Sequence, residues 1–350
     1  MRIAQVGPLI ESVPPQLYGG TERVVSYLTE ELVAQGYDVT LFASGDSITS
    51  ARLLSVCDRA LRLDPFCRDA LPYQILLLEQ VLRHADEFDI IHFHTDLIHY
   101  PVFSRHTTPT VTTLHGRLDL PDILPLYRKF KEIPLVSISD AQRRPMPWLN
   151  WQATVYHGLP PSLLSFSPIA GKYLAFIGRI CPEKRPDQAI AIARQSGLPL
   201  KIAAKVDDAD RDYYETVIRP LLNASHNVEY IGEITEAEKS AFLGEASAVL
   251  LPIDWPEPFG LTMIEAMACG TPTIAYRAGS VPEVIDDGVT GFIVDNVDAA
   301  VRAIEHAVSL DRRAVRDRFE RRFTADRMAH DYVDVYNTLL KRKPIIEQVA

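Results

Sequence analysis

The chain has 350 residues, more than one hydrophobic core usually organises, and roughly 150 residues per domain gives about two domains. Apolar residues make up 47% and charged residues 23%, with 17 Gly and 25 Pro, which excludes disordered, collagen-like and coiled-coil chains. Acidic residues outnumber basic ones by 46 to 36, and a net charge of −10 argues against general nucleic-acid binding.

Arg2–Val6 predicts a strand, followed by prolines after too short an apolar run for a signal peptide. No apolar run elsewhere reaches the ~18 residues needed to span a bilayer, so a cytoplasmic protein is expected. Thr21 is the expected cap of a helix whose Val24, Tyr27, Leu28 and Leu32 share one face, and Gly36 ends it before a strand Asp38–Ala43. Further strands are expected at Asp89–His94, Thr110–Leu114, Leu135–Ile138 and Ala153–Tyr156. Their near-continuous hydrophobicity suits a parallel sheet covered on both faces. Cys57, Cys67, Cys181 and Cys269 have no CxxC spacing and read as reduced thiols.

Gly158–Gly171, rich in Pro, Ser and Gly, reads as a linker. Beyond it, strands are expected at Tyr173–Ile177, Leu200–Ala204, Val228–Ile231, Ala248–Leu251, Thr273–Ala275 and Gly291–Val294. Capping boxes are expected at Thr235–Glu238 and Ser280–Glu283. The predicted organisation is α/β, with two doubly wound Rossmann-like domains, 1–165 and 166–325, facing across a cleft where ligands of such folds bind. The remainder, 326–350, predicts a helix returning to the first domain.

The most informative segment runs from Glu257 to Glu265. Gly260 lets a backbone approach a ligand closely, and the amides of Gly260, Leu261 and Thr262 would face an anion at the positive end of a helix. Two carboxylates, Glu257 and Glu265, stand on either side of that anion position. Arg179 and Lys184, just after the strand Tyr173–Ile177, supply positive charge for a multiply charged ligand. Gly19 and Gly20 offer amides at another helix start, without the GxGxxG of a dinucleotide site. His115 directly follows the strand Thr110–Leu114.

With these residues in place the sequence resembles retaining glycosyltransferases of the GT-B fold, in particular glycosyltransferase family 4. The resemblance rests on GRICPEK at Gly178–Lys184, YIGEI at Tyr230–Ile234, PEPFGLTMIEAMACGTP at Pro256–Pro272 and GSVPEVIDDGVTGFIV at Gly279–Val294. It is looser at YGGTERVV around Gly19–Gly20, at FDIIHFH in Phe88–His94 and at TLHG in Thr113–Gly116. It implies transfer of a sugar from a nucleotide diphosphate sugar to an acceptor hydroxyl, with retained configuration and by front-face displacement. Glu265 would bind ribose hydroxyls, Glu257 the donor sugar, Arg179 and Lys184 the diphosphate, and His115 the donor sugar near the reacting centre. Gly19, Gly20, Phe259, Gly260, Leu261 and Thr262 would line the substrate site, and Ile234 with Glu236 and Lys239 would border the nucleobase. No cofactor and no metal is expected, with Asp207–Asp210 read as a solvated helix start. A UDP-sugar donor is preferred, and the acceptor is a saccharide, a lipid-linked compound or a small molecule.

Competing readings are a nucleotide-sugar epimerase or phosphorylase on the same fold, and a non-enzymatic nucleotide-sugar sensor. A remote one is a metallo-hydrolase using His92 and His94 with Asp96 and His99. Trp148, Trp151, Arg143, Arg144 and the run Tyr127–Lys131 leave open a weak peripheral contact at the inner face of the membrane.

Overall fold

The computed structural model describes residues 1–16 and 19–341. It comprises two compact units, Met1–Gly158 with the returning helix Ala325–Lys341, and Leu159–Thr324.

The first unit holds β1 Arg2–Val6, β2 Asp38–Phe42, β3 Arg52–Leu54, β4 Ile90–Phe93, β5 Thr110–Thr113, β6 Leu135–Ser137 and β7 Trp151–Thr154. They form a parallel sheet in the order β3-β2-β1-β4-β5-β6-β7. β1 and β4 are buried along their length apart from Arg2, as the continuous apolar runs predict for a sheet covered on both faces. β3 was not anticipated, because three residues at a sheet edge carry too little periodicity. The last strand begins at Trp151 rather than Ala153. Gly20, not Thr21, opens the first helix, which runs to Ala34 and buries Val24, Val25, Leu28 and Leu32.

The second unit holds β8 Tyr173–Arg179, β9 Leu200–Lys205, β10 Val228–Gly232, β11 Ala246–Leu251, β12 Thr273–Tyr276 and β13 Gly291–Val294. They are parallel in the order β10-β9-β8-β11-β12-β13. Leu174, Phe176, Ile202, Leu250 and Ile274 pack with Ile190 and Ile304 in one core, each large aliphatic side chain contributing about 1.5–3 kcal/mol.

Gly158–Gly171 is not a free linker, and the boundary falls at 158/159 rather than 165/166. Two arginines explain this. The helix Arg312–Arg322 looks like an ordinary charged surface helix, yet Arg312 and Arg316 are buried. Arg312 donates to the carbonyls of Ser167, Ala246 and Gly244 at 2.8, 3.0 and 2.8 Å, and Arg316 to those of Leu164 and Pro161 at 3.1 and 2.7 Å. These bonds hold the segment to the second unit and satisfy carbonyls that burial would otherwise leave unpaired.

In each sheet the strand order reverses once, between β1 and β4 and between β8 and β11. Ligands of open α/β sheets bind beyond the carboxyl ends of strands at such a point. Lys184 follows β8 and Glu257 follows β11, while His94 follows β4.

Candidate functional site

In the second unit, β11 leads through Pro252–Phe259 into the site helix Leu261–Ala268, whose N-cap Gly260 has φ 82. A non-glycine residue would be strained there, and its Cβ would stand 2.7 Å from Met263 Cε. Met263 N donates to Gly260 O at 3.0 Å, and the amides of Leu261 and Thr262 ahead of it lie before any carbonyl the helix could offer them, so the turn presents the positive end predicted for an anion.

Both glutamates are buried, and each is held by a lysine. Glu257 accepts from Lys184 Nζ and, at 2.9 Å, from Trp255 Nε1, while Lys184 Nζ lies 5.0 Å from the centre of the Trp255 ring. Glu265 accepts from Lys239 Nζ at 2.6 Å, and Lys239 also pairs with Glu236 at 3.3 Å. A buried pair of this kind tolerates loss of one partner poorly, because the other is left charged in a dry site.

The loops bearing these groups are tied together. Asp254 N donates to Glu183 O at 2.8 Å, joining the β11 loop to the β8 loop. Ser280 N donates to Glu257 O at 3.0 Å and Ser280 Oγ to Phe259 O at 2.7 Å. Ser280 therefore does not close the capping box expected of it: its hydroxyl is spent on the Glu257–Gly260 loop, and the helix it precedes is only Val281–Val284. Gly279, at φ 50, lies so near that a Cβ would come within 2.3 Å of Glu257 O. The box at Thr235 is formed, with Glu238.

Arg179 ends β8 and pairs with Asp210 at 3.3 Å and Asp207 at 3.9 Å, and Lys205 on the neighbouring strand reaches Asp207 at 2.9 Å. Asp207–Asp210 is thus no simple solvated helix start. Its acids balance the cations expected to meet a diphosphate. Phe259 does not offer its ring to a substrate, because that ring is buried edge-on against Phe323 at 6.1 Å. Leu261 and Thr262 are half-buried in the first turn, and Ile234 is half-buried just before the Thr235 cap.

In the first unit Gly19 is the N-cap of the helix Gly20–Ala34, and a Cβ there would meet Pro15 at 2.8 Å. His115 follows β5 by two residues. Gln142 fixes its backbone on both sides, donating to Leu114 O at 2.8 Å and Gly116 O at 2.7 Å. The Nε2 of His115 meets His94 Nδ1 at 2.9 Å, and the His115 ring stacks on His157 with centroids 5.4 Å apart. Burial pushes the His115 imidazole down to about 3, so the ring is neutral at ordinary pH.

His92 and His94 have no ring nitrogen left for a metal. His92 meets Tyr336 Oη and Thr113 Oγ1, each at 2.7 Å, and His94 meets Gln5 Oε1 at 2.8 Å as well as His115. His99 stacks on Phe93 and meets Thr112 Oγ1 at 2.8 Å. Among the described residues no cluster of three or more His, Cys, Asp and Glu side chains forms a candidate metal site. Of the aromatic and basic patch, Tyr127 is buried and Trp151 Nε1 donates to Met146 O at 3.0 Å under the Arg143 guanidinium, while Trp148, Arg128, Lys129, Lys131 and Arg144 are exposed. Among the described residues no helix is long and apolar enough to cross a membrane.

Lys239 as the partner of Glu265, Trp255, Gln142 and the Ser280 tie were not assigned these parts from sequence. Trp255 alone carried a local signal, as a large aromatic two residues before Glu257.

Two family models match the chain: "Glycosyltransferase Family 4" over residues 18–160 and "Glycosyl transferases group 1" over residues 167–323. An uncharacterized 41.2 kDa protein in the cps region of Klebsiella pneumoniae is 28% identical over 172 residues, covering 47% of this chain and 46% of that protein. D-inositol 3-phosphate glycosyltransferase of Mycolicibacterium smegmatis is 33% identical over 148 residues, covering 41% of this chain and 34% of that enzyme. The chain thus matches less than half the length of these curated relatives. Among solved structures, AviGT4, a glycosyltransferase involved in avilamycin A biosynthesis, superposes with TM-score 0.73 at 23% identity, covering 97% of this chain and 98% of that one. Sucrose-phosphate synthase from Thermosynechococcus elongatus gives 0.80 at 19%, with the same coverage. Anabaena HepE in complex with UDP gives 0.74 at 16%, covering 97% and 100%.

Proposed function

The chain belongs to the family 4 type of glycosyltransferases, with the GT-B fold, and from that premise we propose that it transfers a sugar from a nucleotide diphosphate sugar to an acceptor hydroxyl. The observation that carries the proposal is the pair of buried carboxylates, Glu257 and Glu265, on either side of a helix N-terminus at the reversal point of the second sheet. In this reading the second unit is the donor unit and the first the acceptor unit, in the cytoplasm or at the inner membrane face. Glu265 takes the ribose hydroxyls, Glu257 the hydroxyls of the sugar, and the first-turn amides of Gly260, Leu261 and Thr262 the diphosphate. Lys184 exchanges Glu257 for a phosphate oxygen, and Arg179 exchanges its aspartates likewise.

The sugar is transferred with retention. The bond from its anomeric carbon to the acceptor oxygen forms on the face where the bond to the β-phosphate oxygen breaks, and the acceptor proton passes to that departing oxygen. Two charge-assisted bonds at ~1.5–3 kcal/mol each and a helix end at up to ~2 kcal/mol supply roughly 5–8 kcal/mol of leaving-group stabilisation. Enzymatic barriers fall by about 8–23 kcal/mol, and holding two substrates in register supplies ~7–11 kcal/mol of that. Basic side chains and the helix end here do the work that a metal ion does in other transferases. UDP is the preferred nucleotide, in keeping with the UDP held by HepE.

The test is a thermal-shift series with UDP, ADP, GDP and UDP-glucose, each with and without EDTA. A bound nucleotide at 100 times its dissociation constant adds ~2.7 kcal/mol. Stabilisation by UDP, indifferent to EDTA, is the expected result, and no shift with any nucleotide refutes the proposal. Slow hydrolysis of the donor without acceptor separates an enzyme from a sensor.

A further inference from the structure

A continuous chain of buried hydrogen bonds runs through the first unit and ends on His115. Gln5 on β1 donates from Nε2 to Tyr336 Oη of the returning helix at 3.0 Å, and its Oε1 stands 2.8 Å from His94 Nε2. A carbonyl oxygen only accepts, so the proton of His94 sits on Nε2. Burial holds the His94 ring neutral, which leaves its Nδ1 a lone pair. His115 Nε2, 2.9 Å away, must therefore donate. A neutral His115 that donates from Nε2 carries a bare Nδ1, and that atom is buried without a hydrogen-bond partner. An unpaired buried acceptor is costly, and each one in a folded protein calls for a physical reason.

We propose that Gln5, His94 and Tyr336 are positioning residues that lock His115 in its Nε2–H tautomer, keeping Nδ1 as the acceptor for a sugar hydroxyl of the substrate. The second half of this proposal rests on the glycosyltransferase reading, and the first half does not. Gln142 fixes the backbone on both sides of His115, so the ring is held at both ends of its freedom. Tyr336 brings the chain's last described helix into this support, 331 residues from Gln5 in sequence.

The tautomer is read directly on the full-length, histidine-15N-labelled protein by long-range proton–nitrogen correlation. The expected spectrum of His115 shows a protonated Nε2 and an unprotonated Nδ1. A protonated Nδ1 overturns the proposal whatever the activity. Gln5→Met removes the carbonyl that orders the chain, and the His115 signals should then divide between the two tautomers. Unchanged signals also overturn it. Val81→Ala, an apolar cavity elsewhere in the first unit, matches the loss of stability and should leave the tautomer intact. In transfer assays Gln5→Met should lower kcat/KM about tenfold beyond Val81→Ala, the loss of one well-placed hydrogen bond. Equal losses in the two variants, with the tautomer as expected, sink the substrate contact alone. Absence of transfer from any donor in the unsubstituted protein instead sinks the glycosyltransferase reading and leaves the tautomer result standing.

Discussion

The two units share one strand order, to which the first adds β7, and furnish it in opposite ways. Beyond the reversal point of the second sheet stand charged pairs: Lys184 on Glu257, Lys239 on Glu265, Arg179 on Asp210. At the equivalent place in the first sheet stands a neutral string of Gln5, His92, His94, His115 and two tyrosines. Ion pairs can be exchanged for a ligand's own charges, so they suit a group that arrives and leaves carrying phosphate. A neutral string has nothing to exchange; it orients lone pairs and protons, and suits a group that must be aimed.

The largest expected effect breaks the charged side. Glu265→Ala and Lys184→Ala should each lower transfer by about a hundredfold or more, a charge-assisted contact on the donor being worth ~1.5–3 kcal/mol before positioning is counted. Circular dichroism should show the fold retained, and full activity in either variant would remove the site assignment. A Glu236→Gln, Lys239→Met, Glu265→Gln triple variant, with no charge left over in the cluster, should recover stability lost in Glu265→Ala and recover no activity.

Acid should break the neutral side first. His99 and His115 are held near about 3 by burial, against an ordinary value near 6.5. Below pH 6.5 the unfolded chain binds these protons and the folded chain does not, so stability is fully present above 6.5 and is lost as pH falls toward 3. At pH 5 each costs roughly 2 kcal/mol. Hydrogen exchange followed by peptide should show the first unit opening before the second as pH is lowered from 7.5 to 5. Simultaneous opening would refute the contrast.

A smaller change sharpens the comparison. Gly279→Ala forces a Cβ against the Glu257 backbone at a left-handed φ and should destabilise the second unit by about 1–3 kcal/mol while displacing Glu257. Denaturant titration measures the first effect and donor KM the second. An unperturbed variant would mean that the Ser280 loop does not hold the site in place.

Much of the architecture was legible because it is local. Continuous apolar runs marked twelve of the strands within about two residues, β11 among them although it begins at Ala246 and not Ala248, while Arg52–Leu54 stayed hidden for want of any pattern. Glu257, Gly260 and Glu265 were legible together because they lie within one turn and the start of one helix. Phe259 was misjudged in the same segment, since nothing local says that its ring packs on Phe323, 64 positions later. Arg312 and Arg316 look solvated in any window and are buried because carbonyls of Pro161–Ser167, Gly244 and Ala246 need donors.

By itself the sequence determined which residue types stand beyond the strand ends, through periodicity and the few glycines that permit a tight turn. Only the tertiary structure decided their pairings: which lysine neutralises which glutamate, which amide clamps His115, and which way a string of protons points. Those outcomes depend on groups tens or hundreds of residues apart meeting within 3 Å out of water, where each polar atom must find a partner, and no local pattern encodes that meeting.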